Sequence, residues 1–406
     1  MENIKAYHLS VFPYSPTTTN TTNTKSQGGN PTTIYLGNPT ATQMHSLAKS
    51  NTHECGFVLT NSPTTPDHDD CHIAMRYWVP NHEMEMCGHA TVGAIWLLNE
   101  LGQLPPSTSG NGAEFRISTK SGIVDARVLR RQGKRDGKES KATRILISQP
   151  RGIVQDLPSS PDDPNGLKVL RSIVAALGLD LSDLDQDQDL SDLKVQNAST
   201  SRTKTLIPLR NLETLASITP NQDSIRAICE SIGSTGLYPY ALVDVKEQIV
   251  MARQFPKSSG YVEDPATGIA AAALAFGLLD AGVLSDPRRS VFVWQGWKMG
   301  RPSEIEVLFR WEGAEERGEE GSGEIVGCWI SGRVEWLDVD TAGIKDSGKS
   351  TVMKQMHSIY SNGFSEGERH KARPVILKDL LGIFRTLLGN MDTERMSFGT
   401  ETVKVV

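Results

Sequence analysis

Long apolar runs are missing from this 406-residue chain, and no stretch of about 18 consecutive apolar residues offers a membrane-spanning helix. The opening MENIKAYHLSVF lacks the charged, then apolar, then small-residue pattern of a secretory leader. Both absences predict a cytoplasmic protein with no membrane partner. Cysteine is sparse: Cys55, Cys71, Cys87, Cys229 and Cys328 are odd in number, widely spaced and free of any C-x-x-C pair. That pattern argues against a disulfide framework and against a zinc site. The nine histidines form no H-E-x-x-H, and no metal is expected. An excess of positive charge is also absent, since 42 Lys and Arg face 48 Asp and Glu for a net charge of −6. Nucleic acid and anionic membrane therefore lose their electrostatic basis as partners, and a small-molecule ligand fits better. Hydrophobic residues make up 38% and charged residues 22%, the balance of a globular chain long enough for two or three domains.

What the chain does contain is a pair of near-copies, CGHATVGA at Cys87–Ala94 and EDPATGIA at Glu263–Ala270. Each sets Ala-Thr and Gly at the mouth of a strongly apolar segment with no polar stripe, which predicts two buried helices. A buried helix start presents backbone N–H groups without intrahelical partners, and with the helix dipole they cradle an anion such as a carboxylate. Two such starts predict two related halves facing one substrate. The first start carries His89, the second Glu263 and Asp264. Asp264 followed by Pro265 also suits a helix N-cap.

Strands are expected at His8–Phe12, Thr33–Leu36, Gly56–Leu59, Ile73–Val79, Glu114–Ser118 and Gly122–Leu129, with a helix at Thr42–Lys49. A second half opens with a strand at Arg144–Ser148 and a helix at Leu167–Leu177. Strands follow at Lys204–Pro208, Tyr240–Asp244, Ile249–Phe255, Ser290–Trp294, Ile305–Trp311 and Ile325–Leu337. Many strands with few helices indicate an α+β fold rather than a doubly wound sheet. The halves are expected at 1–135 and 140–338. The polar run Thr17–Gln27, the acidic run Asp180–Asp192, the basic run Arg130–Arg135 and the Glu/Gly-rich Gly313–Gly323 read as solvated loops or hairpin tips. The acidic run lacks the glycine and glutamate of a calcium loop.

GNPTTIYL (Gly29–Leu36), the Asn-x-x-Glu of NTHECGFVL (Asn51–Leu59), CGHAT, EDPATG and QGWKMGRPSEIEV (Gln295–Val307) stand in the order of the phenazine-biosynthesis F-like family. The chain resembles that family over residues 1–338. The resemblance implies a diaminopimelate-epimerase-like fold, two pseudo-symmetric domains each wrapping mixed sheet around a central apolar helix, with a homodimer as the assembly. It implies a cofactor-independent isomerase or epimerase that moves a proton on a small carboxylate-bearing molecule in the cleft. The family's catalytic glutamate maps onto Glu54, its site histidine onto His89 and its site aspartate onto Asp264. Glu54 would be a desolvated general base, and His89 and Asp264 would hold or relay protons on the other face of the substrate. The first-turn positions Gly88, Ala90, Gly268, Ile269 and Ala270 would line the substrate, with N–H groups gripping its carboxylate. Cys87 stands where racemases of this fold carry a thiol, while acidic residues replace its partner in the second half, which disfavours a two-thiol mechanism. Ile269 stands where the family commonly has Ser, and His53 also replaces a usual Ser. A metabolite- or protein-binding member without turnover is the second reading that these departures leave.

From Gly343 the tail GIKDSGKSTVMKQMHSIY matches a P-loop spacing and resembles the start of a heterotrimeric G-protein α subunit over residues 343–392. Gly343, Gly348, Lys349 and Ser350 are the corresponding nucleotide-binding positions. No later segment supplies the metal aspartate, the water-positioning glutamine or the base-specificity motif. The stretch 339–406 is therefore expected to be an appended fragment rather than an independently folded nucleotide domain. A nucleotide-binding signalling protein, the third reading, rests on this tail alone.

Overall fold

The computed structural model describes residues 4–15, 28–51, 53–59, 71–104, 113–135, 138–157, 164–185, 193–313 and 323–337. The chain divides into Met1–Trp336 and Leu337–Val406, and every described helix and strand belongs to the first unit. The expected loop at Thr17–Gln27, most of the acidic run, the 314–322 hairpin tip and the P-loop-like positions Gly343, Gly348, Lys349 and Ser350 lie outside the described residues.

The first part of the chain runs β1 (Lys5–Val11), β2 (Asn30–Leu36), α1 (Ala41–Lys49), β3 (Cys55–Leu59), β4 (Ile73–Trp78), β5 (Glu83–Met84), α2 (Gly88–Glu100), β6 (Ala113–Thr119), β7 (Gly122–Arg135) and β8 (Lys138–Pro150). The second runs β9 (Ile153–Asp156), α3 (Pro164–Ala176), β10 (Gln196–Ser199), β11 (Lys204–Pro208), α4 (Leu212–Ser217), α5 (Gln222–Ser231), β12 (Gly236–Asp244), β13 (Ile249–Ala252), β14 (Phe255–Pro256), α6 (Gly268–Asp280), β15 (Val291–Gln295), β16 (Ser303–Trp311), β17 (Ile325–Gly332) and β18 (Val334–Trp336). The strands form one mixed hydrogen-bonded sheet. Two antiparallel seams join its two parts, β8 against β17 with Ile147 opposite Ile330, and β1 against β18 with Leu9 opposite Trp336.

The two apolar segments are the central helices. In α6 the residues Gly268 through Leu278 are all buried, and in α2 only Trp96, Asn99 and Glu100 are not. Helix α2 packs on β1, β2, β3 and β8, whereas α6 packs on β9, β10, β11, β16 and β17. Each helix is thus wrapped chiefly by its own part of the sheet, while α2 also touches β17 and β18 across the seams. Every fully buried Leu, Ile or Phe on them contributes about 1.5–3 kcal/mol, and the alanines of α6 let the sheet approach closely. No helix among the described residues is long and apolar enough to cross a membrane.

Three expectations change. Arg130–Arg135 is not a loop: β7 continues through Arg135 and pairs with β8 as far as Arg135 opposite Lys138, because a two-stranded ladder can extend past the core. The run Ile249–Phe255 breaks into β13 and β14, since the Arg253 N–H turns to the Pro239 carbonyl and Gln254 bridges to Asp264. The run Ile325–Leu337 breaks at Arg333, whose carbonyl accepts from the Phe12 N–H at 2.7 Å.

Candidate active site

Helices α2 and α6 begin at the same place in the molecule. A Cβ built on Gly88 or on Gly268 would lie 2.9 Å from Ile330 Cδ1, and the one on Gly88 would lie 3.9 Å from the Ile269 nitrogen. The residue preceding each helix is its N-cap, Cys87 for α2 and Thr267 for α6, and neither caps with its side chain. First-turn N–H groups have no carbonyl within their own helix to bond, so these two starts present open donors to one region. Ala270 is an exception, because its N–H folds back on the Thr267 carbonyl at 3.0 Å.

This geometry corrects the register of the two near-copies. Ala90-Thr91 lies inside α2, whereas Ala266-Thr267 precedes α6, so Gly88 corresponds to Gly268 and Cys87 to Thr267. The partner of the Cys87 thiol in the second half is a threonine rather than an acidic residue. Asp264 is likewise not the N-cap. It lies three residues earlier and accepts from the Thr267 hydroxyl at 2.5 Å.

Glu54 ends the turn before β3 and is 6% exposed. Its backbone carbonyl accepts from the Thr32 hydroxyl at 2.9 Å. The turn is fixed by Asn51, which accepts from Thr33 Oγ1 and donates to the Tyr35 hydroxyl and the Leu47 carbonyl. One carboxylate oxygen of Glu54 lies 4.0 Å from His89 Nε2, and the other accepts from the Tyr261 hydroxyl. Tyr261 belongs to the segment leading into α6, so carboxylate and hydroxyl come from positions 207 residues apart. The structure thus brings Glu54 and His89 together, with Asp264 close enough for the Glu54 charge to be felt.

Asp264 is buried and held by Asn30, whose amide donates to its Oδ1 at 2.7 Å and to the Ala266 carbonyl at 2.7 Å. Gln295 closes the network: it donates to the Asp264 carbonyl at 2.6 Å, accepts from the Thr267 N–H, and accepts from the Tyr238 hydroxyl at 2.8 Å. Burial, followed by the nearby Glu54 charge, raises the Asp264 carboxyl well above its ordinary 3.8. Burial lowers His89 from 6.5, partly opposed by Glu54. Desolvation is the largest cause in both, so the centre is dry enough to favour neutral forms. His53, in contact with Thr33 Oγ1 at 3.1 Å, is lowered by burial to about 4. The Cys87 thiol sits 3.4 Å from His89 Nδ1 and is raised well above 9.0 by burial and by the Glu54 charge, which leaves it protonated.

Glu263 does not enter this centre. It forms a two-point ion pair with Arg253, at 2.9 and 2.7 Å, and Arg253 also donates to the Leu215 and Ile218 carbonyls. Sequence reasoning missed Tyr261 as a partner of Glu54 and Asn30 and Gln295 as partners of Asp264. The last two stand inside quoted motifs, GNPTTIYL and QGWKMGRPSEIEV. Among the described residues, no group of three or more His, Cys, Asp or Glu is placed to hold a metal ion.

Comparison with known proteins places this geometry in a family context. The family described as phenazine biosynthesis-like protein (PhzC-PhzF) matches residues 22–328. The uncharacterized isomerase YddE of Escherichia coli (strain K12) is 25% identical over 310 residues, covering 75% of this chain and 89% of its own. The crystal structure of a PhzF-family phenazine biosynthesis protein from Bacillus anthracis superposes with a TM-score of 0.60 at 23% identity, covering 82% of this chain and 97% of that one. Separately, 50 residues, 12% of this chain, are 46% identical to part of the guanine nucleotide-binding protein alpha-2 subunit of Neurospora crassa, 14% of that protein.

Proposed function

The chain belongs to the phenazine biosynthesis-like family, and from that premise we propose that it is a cofactor-independent isomerase or epimerase that moves a proton on a small carboxylate-bearing metabolite. The observation that carries this reading is the buried Glu54 carboxylate, flanked by His89 and facing the α2 and α6 starts. A carbon acid beside a carboxylate is weak, so the reaction needs a desolvated base and compensation for charge growing on the substrate. Glu54 takes the proton from one carbon and returns it to another. The first-turn N–H groups of Gly88, Gly268 and Ile269 receive the substrate carboxylate, where open donors and two helix dipoles add.

Asp264 and His89 serve the opposite side of the substrate. Held neutral by burial, Asp264 carries a proton it can donate, and His89 can pass one without first being charged. Tyr261 fixes the Glu54 carboxylate by its hydrogen bond and orients the lone pair that meets the substrate. The two parts of the sheet each contribute one helix start, with Glu54 and His89 from the first and Asp264 and Tyr261 from the second. The name isomerase, borne by YddE, agrees with this chemistry.

The test is deuterium incorporation from heavy water, read by mass spectrometry, with a panel of small dihydro-hydroxy acids and amino acids. Wash-in into one class of acid that disappears in Glu54→Gln supports the proposal. Tight binding of an acid with no wash-in by the unaltered protein sinks it and favours the binding-protein reading left open by Ile269.

A further inference from the structure

Strand β11 carries a charge that the mechanism above does not use. Lys204 is 5% exposed, yet among the described residues its ammonium has neither a hydrogen bond nor an ion pair. Arg202, two residues earlier and half-buried, has none either. A buried cation held by no hydrogen bond or ion pair is costly even with Asp264 near enough to favour its charge, and native proteins pair such groups or present them to a ligand.

The position of Lys204 follows from strand alternation. Leu206 lies on the face of β11 under α6, its Cδ1 standing against the place a Gly277 Cβ would take. Lys204, two residues back, shares that face. β11 and β12 run parallel with Thr205 opposite Leu237, so Lys204 lies beside Gly236. Over Gly236 lies the Gln254 amide, whose nitrogen fills the space a Cβ there would need. That amide is 1% exposed, and neither its nitrogen nor its oxygen has a hydrogen-bond partner. Gln254 in turn bridges backbone to backbone with Asp264. The unpartnered Gln254 amide and the buried Lys204 side chain therefore stand side by side near the start of α6. The backbone tie of Gln254 to Asp264 sets this cluster beside the Glu54, His89 and Asp264 centre, and Lys204 and Arg202 are near enough to oppose the upward shifts of Asp264 and Cys87 respectively.

We propose that Lys204, with Arg202 and the Gln254 amide, forms a binding site for a carboxylate of the substrate in the wall of the cleft beneath α6. The inference rests on the reading of that cleft as the substrate site. It gives the substrate's acid a cationic receptor in addition to the helix starts, and it makes a neutral analogue a poor ligand, because the amide of Gln254 and the ammonium of Lys204 would stay unpaired.

The experiment is calorimetric titration of the full chain with benzoate and with its neutral counterpart benzamide. The unaltered protein is expected to bind benzoate at least tenfold more tightly. Lys204→Met, which keeps the stem and removes the charge, is expected to reduce that preference at least fivefold, the remainder coming from the helix starts, while melting no lower than the unaltered protein without ligand. Should Lys204→Met fail to fold, Arg202→Gln at the half-buried position is expected to lower the preference at least threefold. Deuterium wash-in is followed separately in the unaltered protein, so a failure of the proton-transfer reading registers in the exchange assay alone. A full preference retained in Lys204→Met, or no preference in the unaltered protein, overturns the proposal.

Discussion

Gly88 and Gly268 stand against one atom: a Cβ on either would come within 2.9 Å of Ile330 Cδ1. Ile330 lies in β17 on the seam with β8, opposite Ile147, so the two helix starts converge where the two parts of the sheet are joined. Alanine at either glycine is expected to cost about 1–3 kcal/mol by overpacking. Ile330→Val removes the methyl group concerned and is expected to recover part of that loss in the double variant. Chemical denaturation of the two singles and the double measures the coupling, and strictly additive losses would contradict the convergence.

The Arg253–Glu263 pair anchors the segment that carries Tyr261 and Asp264, with side chains only 8% and 10% exposed. Glu263→Gln leaves the guanidinium buried against two carbonyls with no counter-charge. A loss of about 3–5 kcal/mol is expected, read as a lower denaturation midpoint. A change below about 1 kcal/mol, typical of surface pairs, would show the segment to be held by other contacts.

Tyr261→Phe removes one hydrogen bond to a carboxylate, worth about 1.5–3 kcal/mol. Proton exchange is expected to slow by about 10- to 100-fold with KM little changed, since the hydroxyl orients the base rather than the substrate. A rise in KM at constant kcat would instead make Tyr261 a substrate contact.

His53 and Asp264 are expected to give stability opposite pH slopes. His53 is depressed to about 4 in the fold, so below 6.5 the unfolded chain binds more protons. The contribution of His53 is whole above 6.5 and is lost as pH falls toward about 4. Asp264 is raised in the fold, so its contribution is present below its ordinary 3.8 and is lost as pH rises above it. Melting temperatures of the unaltered protein minus those of His53→Asn should therefore fall on acidification. The same difference against Asp264→Asn should fall on alkalinisation, and flat differences would refute both assignments.

The two central helices were legible because they are apolar on every face, a pattern that only burial explains. That Glu54, His89 and Asp264 would lie near one another was legible through ordered motifs. The register between the near-copies was not, since ATG and ATVG look alike while the helix starts at Gly88 in one and at Gly268 in the other. Helices α4 and α5 also escaped, although Asn211 and Asn221 cap them by accepting from Thr214 and Ser224. Tyr261 and Asn30 matter through contacts made across the fold, such as the 234 residues separating Asn30 from Asp264. No local pattern encodes a partner that distant.

The central claim is that Glu54, rather than Cys87, is the base. The most direct measurement compares deuterium wash-in for Glu54→Gln and Cys87→Ala on whichever acid the unaltered protein labels. The protonated, buried thiol predicts that Cys87→Ala stays within about fivefold of the unaltered rate, whereas Glu54→Gln loses at least about 1,000-fold, some 4 kcal/mol of transition-state stabilisation. The reverse ranking, with Cys87→Ala inactive and Glu54→Gln near normal, would contradict it.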